Sequence, residues 1–500
     1  MARKNVLLLV ADDLGKQLGC YGCSYIKTPN IDKLASEGIR FDYAFASTAS
    51  CSGSRSTIYT GMHTHQNGQY GLQSGKHHFM TFDHIDTGPA ILSRHGYLTG
   101  IVGKIHVGPD AVYPWEYKAE SLTRDVFWSA DRAAEVFEAS KADGRPFWLT
   151  VGYHDPHRDR TRGGFGNDEP FDAGIKKVKY RPEDVTIPEF LSDTPGVRQE
   201  LASYAEAISR LDQGVGRILD KLRQSGLADS TLVIFISDNG PPFLNSKTTL
   251  FDAGVRLPLI IRHPELPASV NPNLVSYVDV LPTILEWTLG PAFNALPKSD
   301  ERAGRSFLGI LGATERQPGW DHVFGSHTFH EATNYWPTRF LRTERYKYHR
   351  NIAWRLDFPF ANDLYGSLTW EDVRNNVGAA DPAVEEKKIG ARPLRDYFFR
   401  PPEQLFDLVD DPAEVRDLAR DPAYAEVLAE LRGRLEDWQR RTNDPWLYRD
   451  GVSVLLNKHH LDAGLAVPDK WDLDVDRPET KGDGIKMYEN KPFGVKGPRS

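Results

Sequence analysis

The chain has 500 residues, a formal net charge of -8 and a pI near 6.1. That balance gives no footing for nucleic acid, which needs clustered positive charge, and three cysteines are too few for a disulfide framework at this length. A chain this long outgrows one ordinary core, so a large α/β domain with a smaller companion is expected.

Met1-Ala2-Arg3-Lys4 leads into the apolar run Val6 to Val10, which stops at Asp12-Asp13. The run is too short to cross a membrane and too acidic at its end for a signal peptide. With no Asn-x-Ser/Thr acceptor in the sequence, the expectation is a cytoplasmic protein without a membrane partner. Cys20-x-x-Cys23 has no second Cys/His pair at zinc spacing, so it carries no metal reading.

Further runs of strand length follow at Leu98 to Val102, Phe147 to Val151, Leu232 to Ile236 and Leu257 to Ile261. All read as strands buried on both faces. The first four end in Asp12-Asp13, in Lys104 and His106, in His154 and His157, and in Asp238-Asn239. If those strands are parallel neighbours, their polar ends meet along one edge of the sheet, where open α/β sheets bind ligands. Ile208, Leu211, Val215, Ile218 and Leu222 recur at helical spacing with Gly226 in the place of a C-cap, which predicts a sheet-covering helix.

After about residue 320 the pattern shifts to short strands, Thr338 to Arg345 and Leu405 to Leu408. A helix then opens at Asp421-Pro422 with the stripe Leu428, Leu431, Leu435 and Trp438. The division expected is a catalytic domain over 1–335 and a smaller α+β domain over 336–500, with an irregular tail from about 451.

Asp12, Asp13, Asp238 and Asn239 offer hard oxygen ligands, which suit Ca²⁺ ahead of Mg²⁺ and both ahead of zinc. Three crowded carboxylates repel unless a cation sits among them.

Cys51-Ser52-Gly53-Ser54-Arg55, followed by Thr60-Gly61, resembles the nucleophile signature of the formylglycine sulfatases. The resemblance implies an alkaline phosphatase-like fold, a large mixed and mostly parallel sheet sandwiched by helices. It also implies that Cys51 is oxidised to an aldehyde whose hydrate attacks sulfur and joins the four oxygen residues as a metal ligand. Gly53 stands where the family carries Pro or Ala, which leaves a formylglycine and an unmodified Cys51 both open. Carried over position by position, the resemblance makes Cys51, Arg55, Lys104, His106, His154 and Lys247 catalytic. His154, in His154-Asp155-Pro156-His157, is expected to be the leaving-group acid and His106 to assist sulfate release. His157, Glu331 and Arg339 are candidate substrate contacts.

His63-Thr64-His65-Gln66-Asn67-Gly68, Tyr153-His154-Asp155-Pro156-His157-Arg158, His330-Glu331 and Asn443-Asp444-Pro445-Trp446 look like the family branch that desulfates N-sulfoglucosamine. The implied partner is a sulfated amino sugar or oligosaccharide, and a homodimer is compatible. The expectation is a sulfatase acting on a sulfamate or sulfate ester of such a sugar. Alternatives are a glucosamine O-sulfatase, a phosphodiester or phosphonate ester hydrolase, and an inactive sulfated-glycan binding protein.

Overall fold

The computed structural model describes residues 4–296 and 302–447. The expected tail from 451 lies outside them. Eight strands form the large sheet: β1 (Asn5–Ala11), β2 (Ile39–Phe45), β3 (Leu98–Gly103), β4 (Tyr117–Glu120), β5 (Phe147–Gly152), β6 (Thr231–Ser237), β7 (Arg256–Arg262) and β8 (Ser269–Ser276). Their spatial order is β4-β3-β5-β1-β6-β7-β2-β8. The run from β4 to β6 is parallel, whereas β7 is antiparallel to both β6 and β2, so the sheet is mixed and mostly parallel as expected.

Central strands are apolar throughout because both faces are covered. Along β1, Leu7, Leu9 and Ala11 enter one core while Val6, Leu8 and Val10 enter the other. The first core is roofed by the helix Pro195–Gln224, whose Ile208, Leu211, Val215, Ile218 and Leu222 all face it. This helix caps at Ser225, with Gly226 one residue later at φ +76°. On the opposite face lie the helices Cys51–Thr60 and Val280–Leu289. Among the described residues no helix is long and apolar enough to cross a membrane.

A second sheet uses β9 (His322–His327), β10 (Thr338–Thr343) and β11 (Tyr346–Asn351). After a two-residue pair, β12 (Lys388–Ile389) with β13 (Arg392–Pro393), it adds β14 (Glu403–Asp407). The order β14-β11-β10-β9 is antiparallel, and β9 precedes residue 335. The helix Ala425–Arg441 lays Leu428, Leu431, Leu435 and Trp438 on Leu341, Tyr348 and Leu405. A buried ionic bridge ties this sheet to the large domain: Lys347 Nζ donates to Asp252 Oδ1 at 2.8 Å and lies 3.1 Å from Glu414 Oε1.

Candidate active site

The four polar strand ends do converge. Backbone bonds lock them together: Asp12 N donates to Asp155 O, Asp238 N to Ala11 O and Lys104 N to Gly152 O. Ligand atoms of Asp12, Asp13, Cys51 and Asp238 all lie within 4.8 Å of one another, and all four residues are buried. Asp13 takes φ +62°, an uncommon backbone state for a side-chain-bearing residue, at the point where it enters the cluster. Asn239 Nδ2 donates to Asp13 Oδ1 at 2.7 Å, while Asn239 Oδ1 and Asp12 Oδ1 are buried without a hydrogen-bond partner. Two orphaned oxygens inside a set of three carboxylates fit a hard divalent cation. The electrostatics agree: burial, then the neighbouring Asp12, pushes Asp238 up to about 8. Burial also opposes ionisation of Asp12, but Lys104, His157 and Arg55 outweigh it and hold that carboxyl well below its usual range.

Cys51 opens the helix Cys51–Thr60, so its Sγ sits at the positive end of the helix dipole, 3.9 Å from Asp13 Oδ1. Burial nevertheless raises the thiol well above its ordinary value. One turn on, the fully buried Arg55 donates from Nε to Asp238 Oδ2 at 2.9 Å and from Nη1 to Lys104 O at 3.2 Å. Its Nη2 has no hydrogen-bond partner. Gly152 makes room for it, since a Cβ there would lie 2.8 Å from Arg55 Nη1 and 2.2 Å from Lys104 O. At Gly53 a Cβ would meet the methyls of Thr48 and Thr64 at 3.1 and 3.2 Å, so a side chain there requires those methyls to give by a few tenths of an ångström.

Lys104 Nζ donates to Asp12 Oδ2 at 2.5 Å. His106, at φ +57°, has its Nε2 3.3 Å from Ser74 Oγ and its buried Nδ1 unpartnered. Burial, then Lys104, holds this imidazole well below its ordinary value, leaving it neutral.

The two histidines of the third strand end are sorted by their carbonyl partners. His154 Nε2 lies 2.6 Å from Ser121 O, and a carbonyl only accepts, so this nitrogen carries a committed proton. Burial, then Lys104, lowers His154 to about 4. His157 instead donates from Nδ1 to Arg158 O at 2.6 Å and turns Nε2 inward, 3.0 Å from Lys247 Nζ and 3.5 Å from Asp13 Oδ2. The geometry therefore brings His157 Nε2 into the cluster beside Lys247 and Asp13 and commits His154 Nε2 to Ser121 O.

Lys247 is buried and donates to Asp13 Oδ2 at 2.8 Å and to Asp363 Oδ2 at 2.5 Å. Those two carboxylates outweigh its burial and raise it well above its ordinary value. Asp363 was not among the residues picked out by sequence. Arg339 is not a sugar contact: it is fully buried and forks onto Asp444 at 2.7 and 2.9 Å beneath the second sheet. Glu331 is also largely buried, and its carboxylate accepts the backbone N–H of Asn362.

Comparison with known proteins gives the same direction. The sulfatase family model matches residues 4–291. Over 477 residues the chain is 38% identical to the N-sulphoglucosamine sulphohydrolase of Homo sapiens, spanning 90% of this chain and 92% of that protein. It is 28% identical over 501 residues to an ulvan-active sulfatase of Formosa agariphila, spanning 96% of this chain and 87% of the other. The solved phosphonate monoester hydrolase of Agrobacterium radiobacter shares the fold, with a TM-score of 0.61 at 18% identity over 88% of this chain and 96% of that one.

Proposed function

Because the chain belongs to the sulfatase family and is thus a sulfuric ester or sulfamate hydrolase, we propose that it removes the N-linked sulfate of a glucosamine-type amino sugar. The observation that carries the substrate is 38% identity across nine-tenths of the chain to an enzyme named for N-sulphoglucosamine. In this reading Cys51 matures to formylglycine, and Asp12, Asp13, Asp238, Asn239 and the modified Cys51 hold one Ca²⁺. The aldehyde hydrate supplies an oxygen nucleophile with a second hydroxyl, and the cation supplies Lewis acidity.

The remaining side chains divide the other work. Arg55, Lys104 and Lys247 bracket the sulfuryl oxygens with positive charge in a buried setting where it counts most. His157, oriented through Nδ1, protonates the departing nitrogen. His106 accepts a proton when sulfate is released.

The test is turnover by protein from its native host, with the tryptic peptide from Phe41 to Arg55 weighed in parallel. Sulfate release from glucosamine N-sulfate together with a formylglycine mass is the expected result. Release from the O-sulfate alone would make the enzyme a glucosamine O-sulfatase. Phosphodiester cleavage in its place, or glycan binding with a free thiol and no turnover, would overturn the reading.

A further inference from the structure

One acidic group in the site has no task in the account above. Asp363 lies in the short turn Asn362–Tyr365, on the excursion that leaves β11 and returns at β14. Its Oδ2 is 2.5 Å from Lys247 Nζ and 3.8 Å from His157 Nε2. Its Oδ1 is buried without a hydrogen-bond partner, although the side chain as a whole is 22% exposed. Glu331 fixes the turn by accepting Asn362 N–H at 3.1 and 3.3 Å.

Neutralising Lys247 does not require this group, since Asp13 already lies 2.8 Å from the same ammonium. A surplus carboxylate also weakens the attraction of the site for an anion, unless part of the substrate answers it. Here the Lys247 ammonium, a donor only, points at His157 Nε2, so that nitrogen accepts; when Nε2 takes up a proton to act as the acid, that proton must reach the atom that bridges sulfur and sugar, which therefore binds within hydrogen-bond reach of Nε2. Asp363 Oδ2 lies 3.8 Å from the same nitrogen. A sulfamate has an N–H at the bridging position and becomes an amine, whereas a sulfate ester has an oxygen with lone pairs only. A carboxylate attracts the first and repels the second.

Resting on the N-desulfation reading, we propose that Asp363 selects nitrogen-linked over oxygen-linked sulfate by accepting a hydrogen bond from the bridging N–H and from the amine it becomes. As the nucleophile's oxygen bonds to sulfur and the S–N bond breaks, the electron pair of that bond stays on nitrogen and takes a proton from the imidazolium form of His157, which returns to the neutral form that accepts from Lys247. Asp363 remains ionised throughout.

The experiment compares Asp363→Asn with wild type on glucosamine N-sulfate and on nitrophenyl sulfate, and titrates both proteins calorimetrically with glucosamine and 2-deoxyglucose. The variant should lose about 10- to 100-fold in kcat/KM on the sulfamate, the range of one hydrogen bond to a charged group, with a change of under about threefold on the ester. It should lose affinity for glucosamine and keep that for 2-deoxyglucose, which has no donor at that position. Asp363→Glu, which restores the charge, should recover part of the sulfamate rate. Equal losses on both substrates, with wild type active on both, overturn the inference alone. Wild-type turnover of the ester without the sulfamate overturns the N-desulfation reading and this inference with it.

Discussion

Exchanging each histidine of His154-Asp155-Pro156-His157 for glutamine separates their roles. His157→Gln keeps a polar group of similar reach but removes the basic Nε2, 3.0 Å from Lys247 Nζ, that can take up a proton and deliver it. Loss of a general acid costs about 10²- to 10⁴-fold. At 1.36 kcal/mol per tenfold, that is about 3–5 kcal/mol of barrier. The loss should be greatest for the sulfamate, whose amine leaves poorly without a proton, and smallest for nitrophenyl sulfate, whose phenolate leaves well alone. His154→Gln should do much less, because the glutamine amide can replace the N–H bond to Ser121 O and that nitrogen faces no reacting atom. We expect under about tenfold, the scale of one neutral hydrogen bond, and the same factor for both leaving groups. The assay is kcat/KM for each variant on both substrates with metal saturating. A leaving-group-dependent collapse in His154→Gln, with His157→Gln near wild type, would refute the assignment.

Removal of a metal ligand is read best from stability: wild type should gain about 2.7 kcal/mol at Ca²⁺ a hundredfold above Kd, and Asp13→Asn should lose most of that gain in melts with and without chelator. Equal Ca²⁺-induced shifts in the two proteins would sink the metal assignment. Arg339→Ala should destabilise by about 3–5 kcal/mol at pH 7 while leaving kcat/KM of the folded fraction unchanged, because it strands Asp444 in the core. Burial works against ionisation of Asp444, but Arg339 and His65 hold its carboxyl well below the usual range. A depressed carboxyl stabilises above its unfolded value, about 3.9, and loses that contribution as pH falls through the folded one. The gap between wild type and variant in denaturant melts should therefore narrow below about pH 4, and a constant gap would contradict the pairing. At Gly53→Ala the helix gains up to about 1 kcal/mol of propensity while the Thr48 and Thr64 methyls yield a few tenths of an ångström, so melting should shift little. A large loss would show that those methyls cannot move.

The parallel half of the large sheet was legible because strands covered on both faces must be apolar throughout, and their abrupt polar ends marked the site edge. Asp363 was not legible. It lies 116 residues from its partner Lys247, in a segment without hydrophobic period, and Asn-Asp-Leu-Tyr reads as any surface turn. The choice between His154 and His157 depended on which backbone carbonyl each ring meets, a tertiary fact. Arg339 could have been placed by period two. It shares a face of β10 with Leu341, which packs under the helix Ala425–Arg441, and Asp444 follows that helix directly.

The excursion over residues 352–402 leaves and re-enters the second sheet at neighbouring strands, with Tyr346 opposite Asp407 and Arg350 opposite Glu403. Its neck is closed by Asn351 N donating to Pro402 O at 2.8 Å and Ile352 N to Pro337 O at 3.0 Å. A loop closed at its base can change length at little entropic cost, about 0.6 kcal/mol per doubling. The nucleophile, the cation ligands and the positive clamps all belong to the large domain, at strand ends and on the helix Cys51–Thr60. The excursion is nonetheless rooted, since Leu364, Trp370 and Tyr397 enter the large core and Glu200 accepts from Leu368 N at 2.8 Å, so a lineage can acquire a new taste in sugars by recasting its exposed turns while those roots stay in place.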